Sequence, residues 1–179
     1  STMMKIITCF IPPSEGVVTV DGFSIHDQSV EVRRLVGYLP ENNPLHLEMY
    51  VKEYLNFVAR LYKVAAPSKR VDEMIELTGL SKEQHKKIGQ LSKGYRQRVG
   101  IAQAMIHDPK VLILDEPTSG LDPNQLLEIR ELIRMLGHEK TVMLSTHIMQ
   151  EVEAICSRAI IINSGRIVAD DSTSTLTSR

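Results

Sequence analysis

The sequence predicts an α/β fold, a mostly parallel sheet with helices on both faces. Three observations carry this expectation. Short aliphatic runs, VGYLP (36–40), VLIL (111–114) and TVMLS (141–145), alternate with longer stretches of helical spacing. Strands that alternate with helices pair in parallel and lie under the crossovers. A block over 45–90 is helical throughout and charged outside, and reads as a helical subdomain inserted in the α/β core. Finally, 179 residues with 42% hydrophobic content suit one ordinary domain, taken as 1–179.

The elements come in this order. Residues 3–11 are an apolar stretch of helical length, ended by Pro12-Pro13. EGVVTVDG (15–22) is a β-branched strand closed by an Asp-Gly turn. Residues 30–35 form a turn of helix and 36–40 a strand that runs into the loop ENNP. Over 49–61, Val51, Leu55, Val58 and Leu61 keep helical spacing. Residues 71–80 continue with Met74, Ile75 and Leu77, and Gly79 suits the C-terminal cap. A long helix spans 90–107, entered through LSKG. A buried strand comes next at 111–114, then an amphipathic helix at 123–136 with Pro123 at its start. The strand 141–145, a helix over 148–155, and a hairpin of 159–163 with 166–169 around Ser164-Gly165 complete the core. The tail 172–179 is rich in Ser and Thr and is expected to fray.

Composition excludes several functions. Net charge is -1 and the pI near 6.6, so no large positive field exists to hold a nucleic acid backbone. Aromatic content is 4% with no Trp, which argues against a base-stacking surface. The apolar runs are too short to span a bilayer, and STMMKIITCF (1–10) is too short and too polar for a signal peptide. Cys9 and Cys156 lack metal or CxxC spacing and read as reduced core residues.

Two carboxylates, Asp115 and Glu116, stand where an apolar strand ends. That is the edge at which open α/β sheets bind ligands. Neighbours at a strand end diverge, so one carboxylate can serve a metal ion while the other faces an attacking water. In isolation the pair reads equally well as an acidic turn. LSKGYRQR (91–98) places Ser92 and Gly94 at a helix start, where a capping hydroxyl and free N–H groups favour an anion. Ser92 is as readily an ordinary cap. Ser119-Gly120-Leu121-Asp122 makes a tight turn after the carboxylates, and His147 comes directly after the strand and Thr146.

Together, VGYLPE, LSKGYRQRVGIAQA, VLILDEP, SGLD and STH resemble the nucleotide-binding domain of ATP-binding cassette (ABC) transporters over nearly the whole chain. The resemblance implies a P-loop NTPase fold of ABC type and an ATPase that uses ATP and Mg2+. VLILDE matches the Walker B motif, which implies Asp115 on the magnesium side and Glu116 as general base. LSKGY matches the signature usually written LSGGQ. Ser92 and Gly94 agree; Lys93 and Tyr95 depart. Asp122 matches the D-loop, and His147 the switch histidine on the γ-phosphate. Glu41 occupies the place of the Q-loop glutamine near magnesium, where it adds negative charge beside Asp115 and Glu116.

The Walker A form GxxxxGK[ST] has no match: none of ten glycines precedes lysine. Ser1 and Thr2 resemble the residues immediately after the Gly-Lys, with Ser1 as a magnesium ligand. The chain is therefore expected to be an internal piece of a longer ATPase, with the N-terminal strands and phosphate loop missing. It should bind ATP poorly by itself. The resemblance further implies a head-to-tail dimer with a second ATPase subunit, whose ATP meets the signature of this chain. It also implies transmembrane permease subunits docked on residues 45–90, a cytoplasmic place on the inner face of the membrane, and no nucleic acid partner. LSKGYRQR and LPE lean toward an exporter of multidrug or gliding-motility type. The alternatives are a soluble ABC ATPase of translation or DNA repair, and a non-catalytic binding module, against which the intact Asp-Glu pair and His147 argue.

Overall fold

The chain opens on a helix, α1 (Thr2–Ile7), that stops well before the Pro pair. Two local effects end it. The Thr8 hydroxyl donates back to the Met4 carbonyl at 2.9 Å, and Cys9 adopts φ 58°. The Phe10 N–H then closes on the Lys5 carbonyl at 2.8 Å, so a left-handed turn satisfies carbonyls that another helical turn would have used. This computed structural model describes residues 1–178. They form two compact units, Ser1–Ser145 and a second from Thr146 onward.

In the first unit the run 15–22 contributes only β1 (Thr19–Val20), which pairs with β2 (Phe23–Ser24) in a short antiparallel hairpin. Asp21 and Gly22 take φ 51° and 82°, the two positive values that a tight hairpin turn requires. A helix, α2 (Ser29–Leu35), then leads directly into β3 (Val36–Leu39).

The segment 45–90 holds α3 (Val51–Leu61), α4 (Pro67–Leu77) and a 3₁₀ turn over Ile88–Gln90. Tyr54, Leu55 and Val58 of α3 and Val71, Met74 and Ile75 of α4 are buried. Gly79, at φ 69°, ends α4: its N–H reaches the Glu76 carbonyl at 3.1 Å and the Leu80 N–H the Ile75 carbonyl at 2.8 Å.

The long helix α5 (Lys93–Met105) comes next, then β4 (Val111–Asp115), α6 (Pro123–Gly137) and β5 (Thr141–Ser145). The sheet order is β3-β4-β5, with both pairs parallel. On one face Val36 and Ile113 join Met4, Val20, Ile25 and Val32 in a core beneath α1, the hairpin and α2. The opposite face carries Gly37, Leu39, Leu112 and Leu114 and meets α5. The approach is close. A Cβ on Gly37 would fall on the Ala104 carbonyl oxygen, and one on Gly100 would lie 2.5 Å from Leu39 Cδ1. One glycine from each element thus brings α5 down onto the strand, which fixes where α5 begins and hence where Ser92 stands.

The second unit contains α7 (Met149–Ile155), the antiparallel pair β6 (Arg158–Asn163) and β7 (Arg166–Ser172), and α8 (Thr173–Thr177). Ser164 and Gly165 make the hairpin turn at φ 49° and 75°. The tail was expected to fray, yet the Ser172 hydroxyl accepts the Thr175 N–H at 3.2 Å and caps α8. The last residue of that expectation, 179, lies outside the described residues. Cys9 and Cys156 are half-buried free thiols; Cys9 packs against the core beneath α1, as expected, whereas Cys156 is not part of it.

His107, two residues past α5, stacks on Tyr62 with ring centroids 4.2 Å apart and planes 6° from parallel. Its Nε2 lies 3.1 Å from the Val36 carbonyl, which assigns the neutral tautomer with that nitrogen as donor. The buried Nδ1 has no partner, so protonation would bury an unsatisfied N–H. Burial, with nearby Arg70 and Lys140, holds the imidazole below its ordinary range despite the bond to Val36. The unfolded chain therefore takes up this proton first as pH falls, and stability is lost below the unfolded value of about 6.5. The urea midpoint is expected to drop between about pH 7.5 and about pH 5.5, and His107→Phe should flatten that slope.

Candidate functional site

The C-terminal edge of the parallel sheet gathers the chemistry. Asp115 ends β4 and is 1% exposed. Its Oδ1 accepts the Ser145 hydroxyl from the end of β5 at 2.5 Å and the Ser1 hydroxyl at 3.2 Å. Register explains the first bond, because Asp115 and Ser145 are paired residues. Ser1, the N-cap of α1, arrives from 114 positions away. Thr2 is the first helical residue and is exposed.

Glu116 leaves the strand abruptly. Its φ is 50°, in the left-handed region. Its N–H points at β5, where Ser145 O and Oγ both lie 3.2 Å away. Its carbonyl accepts the Ser119 N–H at 3.2 Å, which starts the turn toward Asp122. Asp115 is thus buried in the sheet while Glu116, half-exposed, turns away from it. Sequence reasoning foresaw the divergence but not the strained backbone that produces it.

Glu41 lies two residues beyond β3, exposed at the same sheet edge because Leu39 is paired with Leu114. It is not part of the Ser1–Asp115–Ser145 cluster. Its loop is tied to α5, since Asn43 Nδ2 donates to Gln103 Oε1 at 3.4 Å and the Tyr54 hydroxyl donates to the same oxygen at 2.8 Å. Burial, and then Tyr62 nearby, push the Tyr54 phenol up to about 12, so it remains a donor.

Ser92 caps α5, its hydroxyl accepting the Tyr95 N–H at 3.3 Å. Asp122 caps α6, accepting the Asn124 and Gln125 N–H groups at 3.1 and 3.0 Å. These two helix starts are neighbours. Gln125 Nε2 donates to Ser92 Oγ at 3.0 Å, and a Cβ on Gly94 would lie 2.6 Å from the Gln125 amide. The Lys93 ammonium lies over Gly120, in the space a side chain there would need. A shallow groove is lined by Gly94, Tyr95, Arg98, Asp122, Gln125 and Glu128. Sequence reasoning missed Gln125. Its position three residues after the N-cap Asp122 was the only available signal.

His147 belongs to the second unit. It is exposed in the bend between Ser145 and α7. In the same bend the Thr146 hydroxyl accepts the Ile148 N–H at 3.1 Å and donates to the buried Glu151 carboxylate at 3.4 Å.

The converging donors fit a magnesium–nucleotide better than a caged metal. Among the described residues no three His, Cys, Asp or Glu side chains converge. Those that converge are a hydroxyl and a carboxylate, hard oxygen donors suited to an ion that takes its remaining ligands from phosphate and water. The start of α5, where the Ser92 cap takes only the Tyr95 N–H, offers backbone N–H groups to an anion, whereas at α6 Pro123 has no N–H and Asp122 occupies those of Asn124 and Gln125.

Known proteins agree with this architecture. The family profile described as ABC transporter matches residues 1–119. The ABC transporter ATP-binding protein NatA of Bacillus subtilis is 39% identical over 172 residues, covering 94% of this chain and 70% of NatA. The Nod factor export ATP-binding protein I of Burkholderia thailandensis is 34% identical over 179 residues, 98% of this chain and 59% of that protein. The chain thus spans roughly three fifths to seven tenths of these relatives. Among solved structures, the ATP-binding cassette MJ0796, a dimer in a post-hydrolysis state bound to ADP and Pi, superposes with a TM-score of 0.84. It is 26% identical, covering 96% of this chain and 79% of that one.

The left-handed backbone at Glu116 carries a stability consequence. A non-glycine residue there costs about 1–3 kcal/mol. Glu116→Gly is expected to raise the urea midpoint, and Glu116→Val, β-branched at positive φ, to lower it, as chemical denaturation will show.

Proposed function

This chain belongs to the ABC transporter family, with its ABC-type P-loop NTPase fold, and on that premise we propose that it is the motor of a membrane exporter. One observation carries the reading of the site. Ser1 and Asp115, far apart in sequence, share a hydrogen bond at the sheet edge where Glu116 turns outward. In this reading Ser1, Asp115 and Glu41 would hold Mg2+, which when bound with ATP neutralises charge on the phosphates. Thr2 is next on α1, as a phosphate neighbour. Glu116 takes a proton from the attacking water as general base. Ser92 and Gly94 present the start of α5, with Asp122 beside it, to ATP held by a second copy or a related ATPase subunit, facing head to tail. His147 is assigned to the γ-phosphate on its motif alone.

Transport and its direction are supported by names and motifs. NatA is named as the ATP-binding protein of an ABC transporter, and the Burkholderia relative as an export protein. No helix among the described residues is long and apolar enough to cross a membrane, so the proposal needs separate permease subunits or segments. Residues 45–90 are the proposed docking face, since Phe57 and Leu61 of α3 and the adjoining Tyr62 are exposed. The resulting place is the inner face of the membrane. A soluble ABC ATPase of translation or DNA repair is the second reading; co-purification with permease subunits separates the two.

The decisive test is hydrolysis by the intact protein. Glu116→Gln should retain Mg-ATP binding while kcat falls by at least about 10²-fold, in line with loss of a positioned base. Asp115→Asn should instead weaken the magnesium dependence of binding. Unchanged turnover in Glu116→Gln would overturn the assignment of the base.

A further inference from the structure

We propose that Gln125 is a positioning residue that turns the Ser92 hydroxyl into a committed donor, aimed out of the chain toward the phosphate of the facing subunit. The inference rests on the reading of Ser92 given above. A serine hydroxyl has one proton to donate and two lone pairs to accept with. At Ser92 both lone pairs are engaged. The Tyr95 N–H, from the first turn of α5, occupies one at 3.3 Å, and Gln125 Nε2 occupies the other at 3.0 Å. Only the proton is left, and it is available to an anion.

Gln125 is itself held in place. Its backbone N–H donates to Asp122 Oδ1 at 3.0 Å, so the cap of α6 fixes the residue whose side chain completes the cap of α5. Its amide also lies against Gly94, where a Cβ would come within 2.6 Å of both Cδ and Oε1. Glycine at 94 therefore lets the Gln125 amide keep this position, which a side chain there would displace. Ser92 and Asp122, two motif residues 30 positions apart, are joined by a third residue, Gln125 of α6, that reaches across to α5.

A substitution can reverse the polarity. Glutamate at 125 accepts where glutamine donates. It would draw the Ser92 proton inward and set a negative charge beside the incoming phosphate. Methionine keeps the length and removes the donor, which leaves the hydroxyl free to rotate.

The experiment compares wild type, Gln125→Met and Gln125→Glu in the intact protein. It measures steady-state hydrolysis of Mg-ATP, affinity for ADP and the urea midpoint. ADP lacks the γ-phosphate and is held by its own subunit, so its affinity should not move. Loss of kcat by about tenfold in Gln125→Met and about a hundredfold in Gln125→Glu, at unchanged ADP affinity and urea midpoint, is expected. Wild-type turnover in Gln125→Glu overturns the proposal. A loss of kcat that tracks a lowered urea midpoint also overturns it, because Gln125 is then only structural. A wild-type protein that hydrolyses no ATP removes the function reading itself and this inference with it. An active wild type with unaffected variants removes this inference alone.

Discussion

A buried carboxylate governs this fold. Asp115 closes the central strand with 1% exposure, and a carboxyl group buried there is tolerable only when protein donors replace the lost water. Two serines do so, from elements adjacent to the strand in quite different ways. Ser145 is supplied by sheet register, so its place results from the pairing of β4 with β5. Ser1 is supplied by the start of α1, which must lie over the sheet edge for its hydroxyl to reach. The apolar residues of α1, with Met4 in the core beside Val32 and Ile113, hold the helix there. Packing on one face of the sheet and hydrogen bonding at its edge thus enforce one another.

The same edge divides labour between two adjacent acids by geometry. A regular strand would send consecutive side chains to opposite faces of the sheet, and both faces here are covered. Glu116 escapes because its backbone leaves the β region for φ 50°, and β5 stabilises that departure by accepting its N–H. Local strain at a functional residue is sustained when the surroundings over-determine the conformation. Here they do so through Ser145, whose hydroxyl serves Asp115 and also lies 3.2 Å from the Glu116 nitrogen. One serine therefore holds both the Asp115 carboxylate and the Glu116 backbone.

Features that arise from local chemistry were legible in the sequence. Asp21-Gly22 and Ser164-Gly165 announced tight turns, Gly79 a helix cap, and Ser92 and Pro123 helix starts, and each is found as such. The parallel strands were legible from their aliphatic runs within a residue or so. Features that rest on a single unremarkable residue, or on a partner distant in sequence, were not. The early end of α1 rests on Thr8 bonding backward and on a left-handed Cys9, and Cys carries no propensity for that conformation. The tail helix depends on one serine cap that composition averages away. Gln125 is a polar residue on an amphipathic helix, and only the meeting of α5 with α6 gives it a task.

That meeting is held at a second point. Arg98, on α5, donates to the Thr78 carbonyl at 2.7 Å and to Glu128 of α6 at 2.6 Å. Thr78 is the C-cap of α4, and the glycine next to it leaves room for the guanidinium, since a Cβ on Gly79 would lie 2.9 Å from Arg98 Nη1. Glycine at that position therefore serves twice, as the left-handed cap of α4 and as the clearance through which Arg98 reaches its last turn. Glu128 lies on the same helix as Gln125, one turn further along. The side chains that join α5 to α6 thus form a short ladder, with Ser92–Gln125 at the helix starts and Arg98–Glu128 further along. Through Arg98 the ladder continues into the helical segment 45–90. The start of α5 and the C-terminal end of α4 are in this way joined through one arginine.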